Sequence, residues 1–155
     1  MRSRLWPAIT IIRESGTIVQ RLFVYGTLLA ATETPMARWL TPRLGLCRDA
    51  TVAGRLIAVP ARSGFYPALL PTSGHRRVCG MVCDAALAPQ DWRKLDLYEG
   101  GEYQRVPVMV LSGGIWRRAQ TYRWAAPVPP AARNIAGGDF RQWLRESRRP
   151  AYTGG

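Results

Sequence analysis

Two stretches of alternating character, Tyr103 to Leu111 and Ile115 to Trp124, are separated only by Ser112-Gly113-Gly114. Alternation at a period of two lines each face of a strand with one kind of side chain, and a short glycine-bearing link reads as a turn. The two are therefore expected to pair antiparallel as a hairpin. Other strand-like pieces precede them. Leu22-Phe23-Val24-Tyr25 is a short apolar run halted by Gly26, and Thr51 to Val59 alternates until Pro60 closes it. Phe65 to Leu70 follows Gly64 and contains Pro67, which restricts that piece to an edge or a turn, and Arg77 to Asp84 is a further candidate.

Helical signals are fewer. Thr34-Pro35 supplies a cap and a first-turn proline, after which Met36, Trp39 and Leu40 share a face. Pro89 opens a second helix with Trp92, Leu95 and Glu99 on one side, and Gly100-Gly101 ends it, so Glu99 stands at a helix carboxyl end. Asp139 and Gln142 form a capping-box start for a third, with Phe140, Trp143 and Leu144 inward and Arg141, Arg145 and Arg148 outward. Strands outnumber helices, no repeat is present and β–α alternation is absent. An α+β domain with a mostly antiparallel or barrel-like sheet fits this order.

At 155 residues, 47% hydrophobic and 21% charged, the chain has the size and composition of one domain able to bury a core. Residues 1–20 lack sustained periodicity and read as an N-terminal extension, 21–149 as the domain and 150–155 as a tail. No apolar run is long enough for a transmembrane helix, and Pro7 and Arg13-Glu14 spoil a signal peptide. The net charge of +12 comes from 22 basic residues, all arginine except Lys94, and such a surface attracts anions without choosing among them. Arg141, Arg145, Arg148 and Arg149 raise the question of nucleic acid, but the aromatic interleaving of single-strand binders is missing, and a solvated helix face is the expectation. Three cysteines make no scaffold. Cys79 and Cys83, four residues apart on one strand, would be about 13 Å apart. All three are expected to be reduced, buried small hydrophobes in a cytoplasmic protein.

The usual catalytic fingerprints are missing. His75 is the single histidine and sits in a loop-like Gly74-His75-Arg76, which leaves Ser–His and Cys–His mechanisms with one weak candidate. Phosphate-loop, dinucleotide and nucleophile-elbow patterns do not occur. Asp96 with Glu99 alone would hold a metal only loosely, so no metal site is expected.

A set of short motifs does stand in a definite order: Phe23-Val24-Tyr25-Gly26-Thr27-Leu28, Gly54-Arg55-Leu56, Tyr66-Pro67-Ala68, Gly80-Met81-Val82, Leu95-Asp96-Leu97-Tyr98-Glu99-Gly100 and Tyr103-Gln104-Arg105-Val106-Pro107-Val108. From about Leu22 to Trp124 this resembles the gamma-glutamylcyclotransferase-like family, with its AIG2-like and gamma-glutamylamine cyclotransferase branches. The resemblance implies a small, mostly antiparallel β-barrel with flanking helices and an anion-lined cavity, working without a cofactor. It further implies an acyl-transfer or lyase-type cyclisation. The α-amino group of a γ-glutamyl amine or γ-glutamyl peptide attacks its own γ-carbonyl, giving 5-oxoproline and a free amine. By the same resemblance Glu99 corresponds to the acid/base glutamate, and Tyr25, Gly26, Thr27 and Leu28 to the loop that holds the glutamyl end.

The chemistry of the residues agrees. One carboxyl can take a proton from the α-ammonium and return it to the departing amine, and a position at a helix carboxyl end pushes a carboxyl pKa upward. Backbone N–H groups of Gly26 to Leu28 are candidates for the developing oxyanion. Arg105 is a candidate for a substrate carboxylate, the other reading being an arginine on the outer sheet face. Tyr66 and Tyr122 are candidate substrate contacts or rim aromatics, and Asp96, one turn from Glu99, is placed to tune it or to cap. A rival function keeps the fold as a non-catalytic module that binds a small ligand or a protein.

Overall fold

The computed structural model describes residues 20–26 and 34–147. The extension and tail expected at 1–20 and 150–155 thus lie outside the described residues, apart from Gln20. The elements in chain order are β1 (Gln20–Val24), α1 (Pro35–Leu40), a single 3₁₀ turn (Thr41–Arg43), β2 (Leu44–Ala53), β3 (Arg55–Ala61), β4 (Gly64–Leu70), β5 (Arg77–Ala85), α2 (Pro89–Glu99), β6 (Tyr103–Ser112), β7 (Ile115–Trp124), β8 (Arg133–Ile135) and α3 (Phe140–Ser147).

Five strands close into a barrel in the order β1-β5-β2-β6-β7, and β4-β3-β8 form a separate three-stranded sheet. Every neighbouring pair in the barrel is antiparallel except the seam, where β1 runs parallel to β7 with Leu22 beside Gln120. The β6–β7 hairpin pairs from Tyr103↔Trp124 to Ser112↔Ile115 around Gly113-Gly114, as the alternation foretells. An α+β barrel with flanking helices is therefore what the chain builds.

Strand alternation sorts the core into layers. Phe23, Val52, Val78, Val82, Val110 and Ala119 belong to one buried cluster, which Phe140 of α3 also joins. The opposite face of β1, through Leu22, meets α1 and α2 in a second cluster with Met36, Leu40, Trp92, Leu95 and Tyr122. Burying a side chain such as Phe23 or Leu95 stabilises the fold by about 1.5–3 kcal/mol each. Capping follows the sequence signals in part: the Thr34 hydroxyl accepts from Ala37 N–H, and the Asp139 carboxylate from Gln142 N–H. The Gln142 side chain, however, turns to Glu146 rather than back to the cap, so only half of the expected capping box forms.

Three further expectations need correction. The single strand from Thr51 to Val59 is two, β2 and β3, interrupted at Gly54, and β2 begins already at Leu44. Pro60 does not end β3. It stands opposite Phe65, beyond the Leu56–Ala58 segment that pairs with β8, so its missing N–H faces no partner strand there. Pro67 lies on β4, which is an edge strand as expected. Third, Cys47 and Cys83 are disulfide-bonded, leaving Cys79 free. The two face each other across β2 and β5 in register, 4.0 Å apart at Cα, a proximity set by strand pairing rather than by spacing within one strand. This replaces the expectation of three reduced thiols and removes the cysteine-based argument for a cytoplasmic location. Among the described residues no helix is long and apolar enough to cross a membrane.

Two outcomes follow. A Cβ built on Gly80 would stand 2.2 Å from the Val24 carbonyl oxygen and 2.7 Å from the Phe23 ring, so β1 and β5 tolerate only glycine there. Gly80→Ala is expected to lower the urea unfolding free energy by about 1–3 kcal/mol. Thiol titration in denaturant is expected to count one thiol per chain before reduction and all three cysteines after it.

Candidate active site

The site forms where three elements end together. β1 runs out at Val24 and delivers Tyr25 and Gly26, α2 ends at Glu99, and β6 begins at Tyr103. Helix α2 stops because Gly100 takes φ +87°, a conformation that favours glycine, while its N–H still bonds Asp96 C=O at 3.1 Å. The chain then turns at once into β6, which sets Glu99 against the barrel rather than in open solvent. Thr27 and Leu28, the remainder of the expected loop, lie outside the described residues.

Glu99 is half-buried, and burial together with the nearby negative charge of Asp96 pushes its pKa from 4.5 up to about 7. Among the described residues no group hydrogen-bonds its carboxyl. Three phenols from three elements feel its charge: Tyr25, Tyr103 and Tyr122. Burial is the leading reason that each of them is held well above the usual range for tyrosine, so they stay neutral. Their hydroxyls are engaged elsewhere. Tyr25 donates to Tyr122 C=O at 2.5 Å and accepts from Leu69 N–H at 3.2 Å; Tyr103 donates to Pro67 C=O at 2.6 Å; Tyr122 donates to the Asp96 carboxylate at 2.5 Å. The geometry leaves Glu99 as the one group of this cluster with an open carboxyl and a pKa matched to neutral proton transfer.

The other expected residues are distributed as follows. Gly26 sits against the Pro67 ring of β4. Tyr66 packs near the rings of Tyr103 and Trp124, and its hydroxyl is 3.4 Å from the Glu102 carboxylate. Arg105 directs its guanidinium to Asp96, with Nε at 2.9 Å and Nη2 at 3.3 Å, and lies 4.6 Å over the Trp92 ring. Its fork is thus occupied by a protein carboxylate. Asp96 would be raised by its partial burial, but hydrogen bonds from Arg105 and Tyr122 outweigh this and keep it ionised. Nothing in the sequence marks Tyr103 as a member of this cluster apart from its place two residues before Arg105, which puts both on one face of β6.

A cavity of about 610 Å³ opens beside Tyr25 and Gly26, with Thr51, Cys79, Met81 and Leu111 among its walls. Glu99 is not among the residues that line it. Among the described residues no group of three or more His, Cys, Asp or Glu is placed to hold a metal ion. Arg141 and Arg145 of α3 are exposed, while Arg148 and Arg149 lie outside the described residues.

A family model described as gamma-glutamyl cyclotransferase, AIG2-like, matches residues 22–142. Among solved structures, YkqA from Bacillus subtilis superposes with a TM-score of 0.64 at 21% identity, covering 84% of this chain and 43% of that one. This chain therefore spans less than half the length of the Bacillus protein. A mouse AIG2-like protein gives a TM-score of 0.53 at 26% identity, covering 72% of this chain and 80% of its own. A structure titled gamma-glutamyl cyclotransferase gives 0.61 at 15% identity, covering 88% and 92%, and at that identity speaks for the fold alone. No curated protein sequence matches this chain.

The raised Glu99 pKa has a sign for stability. Below pH 4.5 the carboxyl is protonated in both folded and unfolded chains and nothing is lost; as pH rises toward about 7 the unfolded chain ionises first, and folding is penalised. Wild type is expected to lose up to about 3 kcal/mol relative to Glu99→Gln across that window and to hold a constant deficit above it, read from urea midpoints at pH 4 to 9.

Proposed function

The chain belongs to the gamma-glutamyl cyclotransferase, AIG2-like family, with the cyclotransferase-like activity that family and fold indicate, and we propose that it cyclises a γ-glutamyl amine or γ-glutamyl peptide to 5-oxoproline with Glu99 as base and then acid. The observation that carries this reading is the open, half-buried Glu99 carboxyl, raised to about 7 and ringed by phenols that are all committed elsewhere.

The reaction needs little else. Glu99 as carboxylate accepts a proton from the substrate α-ammonium. The freed nitrogen attacks the γ-carbonyl carbon, and the new C–N bond closes a five-membered ring. The tetrahedral centre collapses by breaking the γ-amide C–N bond: Glu99, now protonated, gives its proton to the departing nitrogen, then takes the second proton of the ring nitrogen and passes it on, so that the lactam leaves neutral and the amine as its ammonium. Nucleophile and carbonyl are parts of one molecule, so holding the substrate folded supplies a rate gain that can reach about 7–11 kcal/mol. Backbone N–H groups of the loop that begins at Gly26 and continues through Thr27 and Leu28 are the candidates for holding the glutamyl end and the oxyanion. Tyr25, Tyr66 and Tyr122 would wall the substrate, their hydroxyl bonds fixing their rings.

The test is direct. Wild type and Glu99→Gln are incubated with a panel of γ-glutamyl amines and dipeptides, and 5-oxoproline is followed by mass spectrometry. Product from wild type, reduced about 10²–10⁴-fold in the folded variant, is the expected result. No product from either would overturn the catalytic reading in favour of a ligand-binding module on the same fold.

A further inference from the structure

The polar cluster on the barrel-facing side of α2 is more elaborate than a single acid/base residue needs. Trp92, Asp96 and Glu99 fall on one face of the helix at i, i+4 and i+7. Each of the first two is gripped from the barrel. Arg105 of β6 stacks on Trp92 and binds both oxygens of Asp96, Nε to Oδ1 and Nη2 to Oδ2; Tyr122 of β7 donates to Oδ1 as well. The pair lies at the rim, with the two side chains 30% and 39% exposed, so it is weak ballast for the fold as a whole.

We propose that Asp96 and Arg105 are positioning residues for Glu99: the Arg105 fork, closed on Asp96 and backed by Trp92 and Tyr122, clamps the last turn of α2 on the barrel and meters the negative charge that Glu99 sees. This rests on Glu99 being the proton-transfer group. Among the described residues the groups facing Glu99 are Asp96 from its own helix, Tyr25 from the end of β1, Tyr103 from β6 and Tyr122 from β7, with Glu102 adjoining Tyr103. The phenols are neutral, which leaves Asp96 as the charge next to Glu99 and Arg105 as its counter-charge. Removing one or the other must therefore move Glu99 in opposite directions. Asp96→Asn deletes the repulsion and leaves an unpaired cation; Arg105→Gln leaves the Asp96 charge uncompensated.

The titration of Glu99 is read without substrate by NMR of carboxyl-¹³C glutamate, its signal identified by loss in Glu99→Gln. The expected result is a midpoint lower by about 0.5–1 pH unit in Asp96→Asn and higher by a smaller amount in Arg105→Gln, because the guanidinium acts on Glu99 from behind Asp96. Shifts of the same sign, or none, would overturn the proposal. The neutral pair Asp96→Asn/Arg105→Gln keeps the comparison available where a single variant does not fold: its midpoint is expected below that of wild type, and one at or above it would count against the proposal. Arg105→Lys keeps the charge without the bidentate fork, and is expected to lower kcat about tenfold or more with a smaller change in KM. A raised KM at unchanged kcat would instead mark Arg105 as a group that binds the substrate, and would overturn its positioning role. Because the titrations need no turnover, they stand or fall separately from the cyclotransferase reading, which fails on its own if Glu99→Gln keeps wild-type product formation.

Discussion

Closure of the barrel between β1 and β7 is the constraint on which the rest of the molecule depends. It is the one parallel contact among antiparallel ones, held by Leu22 beside Gln120, by the Thr121 hydroxyl donating to Phe23 C=O at 2.9 Å and by Tyr25 donating to Tyr122 C=O. Thr121 is fully buried, so its hydroxyl must find a partner inside, and the carbonyl of the neighbouring strand is that partner. Once the seam is closed, the end of β1 has to emerge beside β7 and under α2. The seam thus brings a residue at position 25, one at 99 and one at 122 into a single cluster.

The cluster holds a carboxyl at a cost. A half-buried Glu99 without a hydrogen-bond partner among the described residues destabilises the folded chain at neutral pH, and a stability-optimised protein would not keep it. What offsets it is the surrounding packing, in which Trp92 and Leu95 of the same helix are buried and the phenols are locked by bonds to Asp96 and to main-chain carbonyls. The disulfide between Cys47 and Cys83 ties β2 to β5, and Cys83 stands opposite Leu22 of β1, so the cross-link braces the barrel one strand away from the seam.

Much of this is legible in the sequence because it is local. Alternation and the glycine link specify the β6–β7 hairpin, Pro89 and Gly100 bracket α2, and the second bracket places Glu99 at a helix end. The edge position of β4 follows from Pro67, which cannot donate to a partner strand. What escapes is non-local. Cys47 meets Cys83, 36 residues away, only because of the register of β2 on β5, and Arg105 meets Asp96, nine residues away in another element, only because α2 lies across β6; the periodicity of neither element reports it. Pro60 misleads for a related reason, since a proline within a central strand is tolerated wherever the neighbouring strand is too short to reach it. The acid/base role proposed for Glu99 rests on the resemblance to a known family, since spacing alone does not give it.

The central claim is that Glu99 moves the proton in a cyclisation at neutral pH, and the pH dependence of kcat/KM for 5-oxoproline release by wild-type protein tests it most directly. The free-enzyme profile is expected to rise through an acid limb with a midpoint near the value of about 7 that burial and Asp96 set for Glu99. A limb with its midpoint near 4.5, the ordinary value for this group, or a profile with no acid limb would contradict the account.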